Sequence, residues 1–558
     1  TAEPMTIDLV PGNSPRDRPP CVREPELNPQ WRMLRTSTAL LLVCGFCLFL
    51  PTIFHELFAD DEIYLAYTNR MIRQLPWTEL HQFLVKPGNP WEYLPVRDFT
   101  YWLDFRLFGD EPATFHVTNL VWYSFSAASF CWLARELVLF FRPAWAAQAG
   151  VLAMCGTVLF VVHPAHVEAA AWVAARKDLM AGTLGFLSAA ALVQGMRTSW
   201  PARNVLLAAA LLLLACFSKA AGMTQVMFLT ALIAAAWRHC PGIPATRKLV
   251  TLLLLWALVV FAAFVHMKIG ETTGIRIENH PGFLVSTERA SRIFAALARL
   301  LLWPYPLGLY HDVYDAGNWH WLATAGGLLL VMLAAGAIFF RRTLWPLGVV
   351  LIVAPWTVYL QFIPFTTWSM ASERFLFVSV GGLTLILVDL MGRLAQPRTI
   401  LAVVLLIAVP MGMLTWNRVN EWELGYRLLA MEYERQPGFH NAIRDQVLHV
   451  LLPQRQYAEA EALAEGIPRD YAAAALVAFV RAEHVLTARN DDVGEGLAIS
   501  DSTHSYCLAI ASARQALSAA FSQIVSERDL SYNNLLRSLE RQIELRHANV
   551  ALTCAPHG

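Results

Sequence analysis

Charge is what this chain has little of. Only 15% of its 558 residues are Asp, Glu, Lys or Arg, and just five are lysines, while 56% are hydrophobic. Soluble domains carry about a quarter charged residues, so the three or four soluble domains that the length would suggest are excluded. The 43 basic and 43 acidic residues cancel, and no basic excess points to nucleic acid. No H-E-x-x-H zinc signature occurs, nor any N-x-S/T sequon with a permitted middle residue. The second absence favours a bacterial chain over one that matures in a secretory lumen.

What is there is a series of apolar runs of about 20 residues, each long enough to cross a bilayer core. Eleven can be drawn, starting near residues 36, 116, 145, 179, 204, 223, 249, 320, 344, 375 and 399. The chain therefore reads as an all-α polytopic membrane protein. Alternate connections carry arginine: Arg32 and Arg35, Arg142, Arg197 and Arg203, Arg238 and Arg247, Arg341 and Arg342, Arg393 and Arg398. By the positive-inside rule these face the cytoplasm. The expected organisation is a cytoplasmic segment 1–35, a membrane module 36–416 with a first outer loop at 56–115, and an outer region 417–558. The first 35 residues are too polar and Pro-rich for a cleavable signal, so the first span reads as an uncleaved anchor. Residues 283–318, apolar but short and broken by Pro304 and Pro306, read as a re-entrant or interfacial helix.

The region from 417 has 13 Arg, no Lys and 18 acidic residues. Its stretch HNAIRDQVLHVLLPQRQYAEAEALAEGI, with Tyr457, Ala460 and Ala464 at helical spacing, resembles one tetratricopeptide unit. An irregular helical bundle is the plainer alternative. Cys507 and Cys554 share this region, and an oxidising compartment would let them pair. Cys44 and Cys47 form a C-x-x-C inside an apolar span, a poor metal site.

Four polar clusters stand at outer span ends, where ionisable groups face a cavity or a partner. The first is Asp60, Asp61 and Glu62, either a solvated span end or a general base or metal ligand. The second places Arg97 and Asp98 among Trp91, Tyr93, Phe99, Tyr101 and Trp102, which suits an interfacial helix or a sugar platform equally. The third carries His163, His166, Glu168, Arg176, Lys177 and Asp178. Zinc is disfavoured there because Pro164 breaks the helix between the histidines, but Arg176 and Lys177 at a helix start form an anion site. The fourth joins Lys219, in CFSKAAGMT, with Glu373 and Arg374, in SERFLFVSVGG. Snorkelling or a shared anion pocket would account for both cations.

Taken in order, YLPVRDFTYWLDFRLFG, LFVVHPAHVEAAAWVAARKDLMAG, CFSKAAGMT, SERFLFVSVGG and WNRVNEWELGYRLLAMEYERQPGFHNA resemble the transmembrane and tetratricopeptide-repeat O-mannosyltransferases, and more closely their bacterial relatives. The resemblance covers about 55–465, and the last 90 residues are unmatched. It implies a GT-C type of membrane glycosyltransferase with a polyprenyl-phosphate sugar donor and a hydroxyl acceptor on the outer face: a protein, a glycan or a lipid. It also implies a catalytic carboxylate in the first outer loop, where Asp61 stands, with Asp60 as alternative. Arg176, Lys219 and Arg374 would hold the donor phosphate. Glu62, Arg97, Asp98, His163, His166, Glu168, Asp178 and Glu373 would bind substrate or support the site. The resemblance fixes no cofactor, and a divalent metal stays open. The implied setting is a bacterial inner membrane, with the C-terminal region periplasmic. Only one repeat unit is recognisable, and the lysine motif reads SKAAG where eukaryotic members tend to have an acidic residue after the lysine.

Two other classes compete. A non-catalytic scaffold, presenting the helical region to envelope or pilus assembly, would not need Asp61, Arg176, Lys219 and Arg374 to converge. A transporter or flippase would place polar residues near span centres and repeat its spans, neither of which is evident.

Overall fold

The computed structural model describes residues 29–58, 70–88, 92–270, 282–314, 319–362, 369–394, 396–494, 499–523 and scattered positions between 532 and 543. Among them every regular element is a helix. Nine helices among the described residues are long and apolar enough to cross a membrane: Pro29–Phe54, Pro112–Phe141, Pro143–Val161, Val173–Arg197, Ala220–His239, Ala245–Ile269, Trp319–Phe340, Glu373–Met391 and Pro397–Glu421. Two shorter apolar helices, Ala202–Ser218 and Trp345–Tyr359, complete a set that coincides with the eleven runs read from the sequence. Val173–Arg197 is the centre of the bundle, 89% of its apolar window being buried, whereas Trp319–Phe340 is only 11% buried and offers its sides to lipid.

Lipid supplies little hydrophobic drive between helices, so close packing must hold them together. Gly348 and Gly382 show how. A Cβ on Gly382 would stand 2.4 Å from the Gly348 carbonyl oxygen, so Trp345–Tyr359 meets its neighbour backbone to backbone. Proline opens many of the elements, at 95, 112, 143, 164, 346 and 397. Its absent N–H costs nothing in a first turn.

The arginines of the alternate connections find carboxylates that the sequence reading had not singled out. Asp389 accepts Arg142 Nε and Nη2 at 3.0 and 2.7 Å and Arg393 Nη2 at 2.8 Å. Glu136 takes Arg135 at 2.9 Å and also Arg197. Within 283–318, a helix runs from Phe283 to Leu302 and is amphipathic. Ile293, Leu297 and Leu300 are buried, while Phe283, Leu284, Leu302 and the adjoining Trp303 are exposed.

After the last apolar helix come Gly425–Arg435, His440–Gln446, Tyr457–Glu465, Asp470–Gly494 and Ile499–Ser522. A second apolar core runs from Ile443 through Ala460, Ala464, Leu476 and Phe479 to Leu517. Trp422, Leu428, Leu429 and Ala442 instead belong to the membrane core. Cys44, Cys47, Cys131, Cys155, Cys216 and Cys240 are free thiols. Cys507 is disulfide-bonded, and Cys554 lies outside the described residues.

Candidate functional site

Among the described residues, the candidates gather at the end of the bundle marked by Arg176, the first residue of a 22-residue helix whose last is Arg197. At about 1.5 Å per residue, this end lies some 30 Å from the one that carries Arg197.

Five ion pairs are joined there. Arg374 Nη1 donates to Glu168, whose carboxylate also accepts the Arg374 amide at 2.9 Å and the Ser372 hydroxyl at 2.7 and 2.8 Å. Lys219 donates to Asp178. Glu92 accepts Lys177 and Arg97, each at 2.5 Å, and Arg97 Nε donates to Asp98 at 2.9 Å. These are one cluster, since Lys219 lies within electrostatic reach of Asp178, Arg374 and Glu92, and Lys177 within reach of Arg97 and Lys219. Its floor is aromatic. Tyr359 and Phe375 stack at 3.9 Å with Lys219 Nζ 5.3 and 5.5 Å from their centroids. The Arg374 guanidinium sits 4.8 Å from the Trp172 ring. Four cations thus face four carboxylates, and the cluster is formally neutral.

Local sequence explains the placements. Lys219 ends Ala202–Ser218 in extended backbone, and the turn after it returns against the helix. A Cβ on Gly222 would fall 2.3 Å from the Ala215 carbonyl oxygen, so the glycine of SKAAG is a requirement of close approach. Pro95–Phe108 turns Arg97, Asp98, Tyr101, Trp102 and Asp104 inward. Gly88 closes over Asp98, where a Cβ would stand 2.3 Å from Oδ2. Burial raises the Glu92 carboxyl, but Lys177 and Arg97 overcome it and hold the group well below the usual carboxylate range. At Asp98 burial prevails over the pull of Arg97 and the carboxyl is raised.

Arg176, read as a phosphate ligand, is occupied differently. It is fully buried and donates to Asn119 Oδ1 at 2.7 Å, Asp104 Oδ2 at 2.5 Å, the Thr100 hydroxyl at 3.3 Å and the Phe115 carbonyl at 3.0 Å. Its guanidinium ties Pro95–Phe108 to the helix beginning at Pro112. His163 is also internal: its Nδ1 accepts the Ala165 amide at 3.3 Å, and burial lowers its pKa to about 4. His166 bonds the Tyr123 hydroxyl at 3.2 Å and packs on Phe160 and Phe377. Among the described residues no three His, Cys, Asp or Glu side chains gather in a way that would hold a metal. Glu373 points away from the cluster, toward Gly308 and Arg418.

Asp60, Asp61 and Glu62 lie outside the described residues. Phe58, two positions before Asp60, packs 6.3 Å from Trp172 and 5.7 Å from Trp422, so the chain leaves the described region beside the ring that carries Arg374. Glu92, Trp172 and Tyr359 were missed by sequence reasoning. Glu92 had a signal, an acidic residue two aromatics deep in WEYLPVRD. Tyr359 had none in its own helix.

No family model matches the chain. It is similar to a protein O-mannosyl-transferase of Caenorhabditis elegans, 31% identical over 88 residues, which is 16% of this chain and 12% of that protein. It is also similar to protein O-mannosyl-transferase tmtc2 of Xenopus laevis, 25% identical over 150 residues, 26% of this chain and 17% of that protein. The matches thus span less than a fifth of either relative. Among solved structures, ArnT from Cupriavidus metallidurans bound to undecaprenyl phosphate aligns over 93% of this chain and 79% of that one. The TM-score is 0.37 and the identity 13%, too slight to carry an argument.

Proposed function

We propose that the chain is an integral-membrane glycosyltransferase of the GT-C type. In this reading it moves a sugar from a polyprenyl phosphate to the hydroxyl of a protein, glycan or lipid. One observation carries the reading: Lys177, Lys219, Arg374 and Arg97 meet over an aromatic floor at one end of an apolar bundle. A scaffold has no use for that convergence. Similarity to protein O-mannosyl-transferases points the same way.

The chemistry follows from charge. The donor keeps its isoprenoid in lipid and its phosphate at the bundle end. The acceptor oxygen attacks the anomeric carbon from the face opposite the phosphate and inverts it. Its proton passes to Asp61, or to Asp60. The bond from the anomeric carbon to the phosphate oxygen breaks, and the phosphate leaves with the electron pair. Lys219 and Arg374 stabilise that departing charge best when desolvated. Both are already paired, so the phosphate must share them with Asp178 and Glu168. The setting proposed is a bacterial inner membrane, with the N-terminus cytoplasmic and residues 417–558 periplasmic.

Binding of undecaprenyl phosphate to the purified full chain tests the reading. Saturable binding in the wild type, weakened in Lys219→Ala and Arg374→Ala, is the expected result. Equal binding in all three proteins would overturn it.

A further inference from the structure

Glu373 and Arg374 are neighbours in one short turn, Glu373–Leu376, yet serve different parts of the protein. Arg374 belongs to the ion-pair cluster. Glu373, wholly buried, accepts the Gly308 amide at 2.6 Å and stands 3.5 Å from Arg418 Nε and 3.7 Å from His311 Nε2. Arg418 ends the last apolar helix and is 1% exposed. Its Nη1 donates to Glu421 at 2.6 Å and to Glu432 at 3.1 Å. Glu432 is buried on Gly425–Arg435, where Arg435 Nη1 also reaches it at 3.1 Å. A second connection is aromatic: the Arg418 guanidinium is 5.9 Å from the Trp422 ring, Trp422 is 6.4 Å from Trp172, and Trp172 underlies Arg374.

We infer that Arg418, held by Glu432, is a positioning residue for Arg374, so that the helix after the last apolar span sets the geometry of the candidate donor cation. The functional meaning rests on the donor reading, but the coupling does not. Arg418 is shared unequally, hydrogen-bonded to Glu421 and Glu432 but at 3.5 Å from Glu373, too long for a good bond. Arg418 Nε and Glu373 Oε2 have no hydrogen-bond partner among the described residues. Buried charge is costly unless compensated, so removing the charge of Glu432 leaves Arg418 to Glu421 and Glu373 and draws it closer to Glu373. A turn of four residues has little slack. Glu373 cannot shift without disturbing the Arg374 amide and its bond to Glu168.

The test uses the full chain in lipid nanodiscs, with Glu432→Gln, which keeps shape while removing charge. Amide exchange over residues 372–376 should rise several-fold, while exchange over 215–222, around Lys219, stays at the wild-type rate. Affinity for undecaprenyl phosphate should fall about five-fold or more, the usual span of coupling between sites. Arg418→Lys should keep more of that affinity than Arg418→Gln, because it retains the charge. Unchanged exchange over 372–376 overturns the positioning role, as does a rise spread evenly over the chain, which marks lost stability alone. A wild-type chain that does not bind undecaprenyl phosphate overturns the donor reading, and exchange still decides the coupling.

Discussion

Asp178 holds the Lys219 ammonium through Oδ1, while its Oδ2 meets no hydrogen-bond partner among the described residues. The pair is 4% and 12% exposed at its side chains, so it is desolvated before any ligand arrives. A carboxylate held from one side can yield part of its cation to a phosphate more readily than one fixed by several donors. Glu168, held by three donors, the Ser372 hydroxyl and the Arg374 amide and guanidinium, is the fixed kind. On the proposed donor reading, Lys219 is the cation expected to change partner and Arg374 the one expected to stay in place.

Both cations should matter in the ground state as well as in the transition state. Lys219→Ala and Arg374→Ala are expected to weaken donor binding and turnover together. Arg374→Lys should also lose activity. An ammonium cannot keep both the Glu168 contact and the close approach to the Trp172 ring that the guanidinium makes. Donor titrations and initial rates on the three variants check this. Wild-type affinity in both alanine variants would remove the cluster from the donor site.

Arg176→Ala should behave quite differently. The change strands Asp104, whose carboxylate loses its 2.5 Å partner in a buried setting. Breaking a buried pair from one side costs about 3–5 kcal/mol, so the expected result is a large fall in thermal stability. A variant that melts like the wild type yet fails to bind donor would restore Arg176 to the phosphate site.

The contrast between Arg176 and Lys219 shows what the sequence carried and what it did not. Eleven apolar runs specify eleven helices because lipid demands an internally bonded backbone, and that constraint acts locally. The convergence of Lys219, Asp178, Glu168 and Arg374 was legible too, since charges at span ends must find one another. Which cation would be consumed internally was not. Arg176 is satisfied by Asn119, Asp104 and the Phe115 carbonyl, and no local pattern announces partners between 57 and 72 positions away. The same holds for Glu136 and Asp389, each waiting for an arginine from a distant connection.

His163 gives a pH dependence with a definite sign. Its pKa falls from 6.5 to about 4 on burial, so the folded chain resists a proton that the unfolded chain accepts. Its contribution is fully present above pH 6.5 and is lost as pH falls toward 4, with a limiting slope of about 1.4 kcal/mol per pH unit for one proton. His163→Gln removes the titrating group. The stability difference between variant and wild type should therefore narrow between pH 6.5 and 4. Unfolding curves at matched ionic strength measure it, and parallel pH profiles would show that His163 does not titrate with folding.

The acidic triplet carries the most exposed expectation. Asp61→Asn keeps size and much of the hydrogen bonding but cannot take the acceptor's proton. If Asp61 is the base, turnover should fall by about 10²–10⁴, the usual worth of general-base catalysis, while undecaprenyl phosphate still binds. Binding should survive because, in the proposed reading, the phosphate is held by Lys219 and Arg374 and not by a carboxylate. Asp60→Asn is the necessary companion, since either neighbour could face the acceptor. A metal-bound Asp61 would lose activity as well, so each variant should be assayed with chelator and with added divalent ions. Loss confined to Asp60→Asn would move the role by one position. Activity in the double variant would place the base elsewhere, and Asp98, with a raised carboxyl pKa and an Oδ2 that meets no hydrogen-bond partner among the described residues, would be the next residue to change.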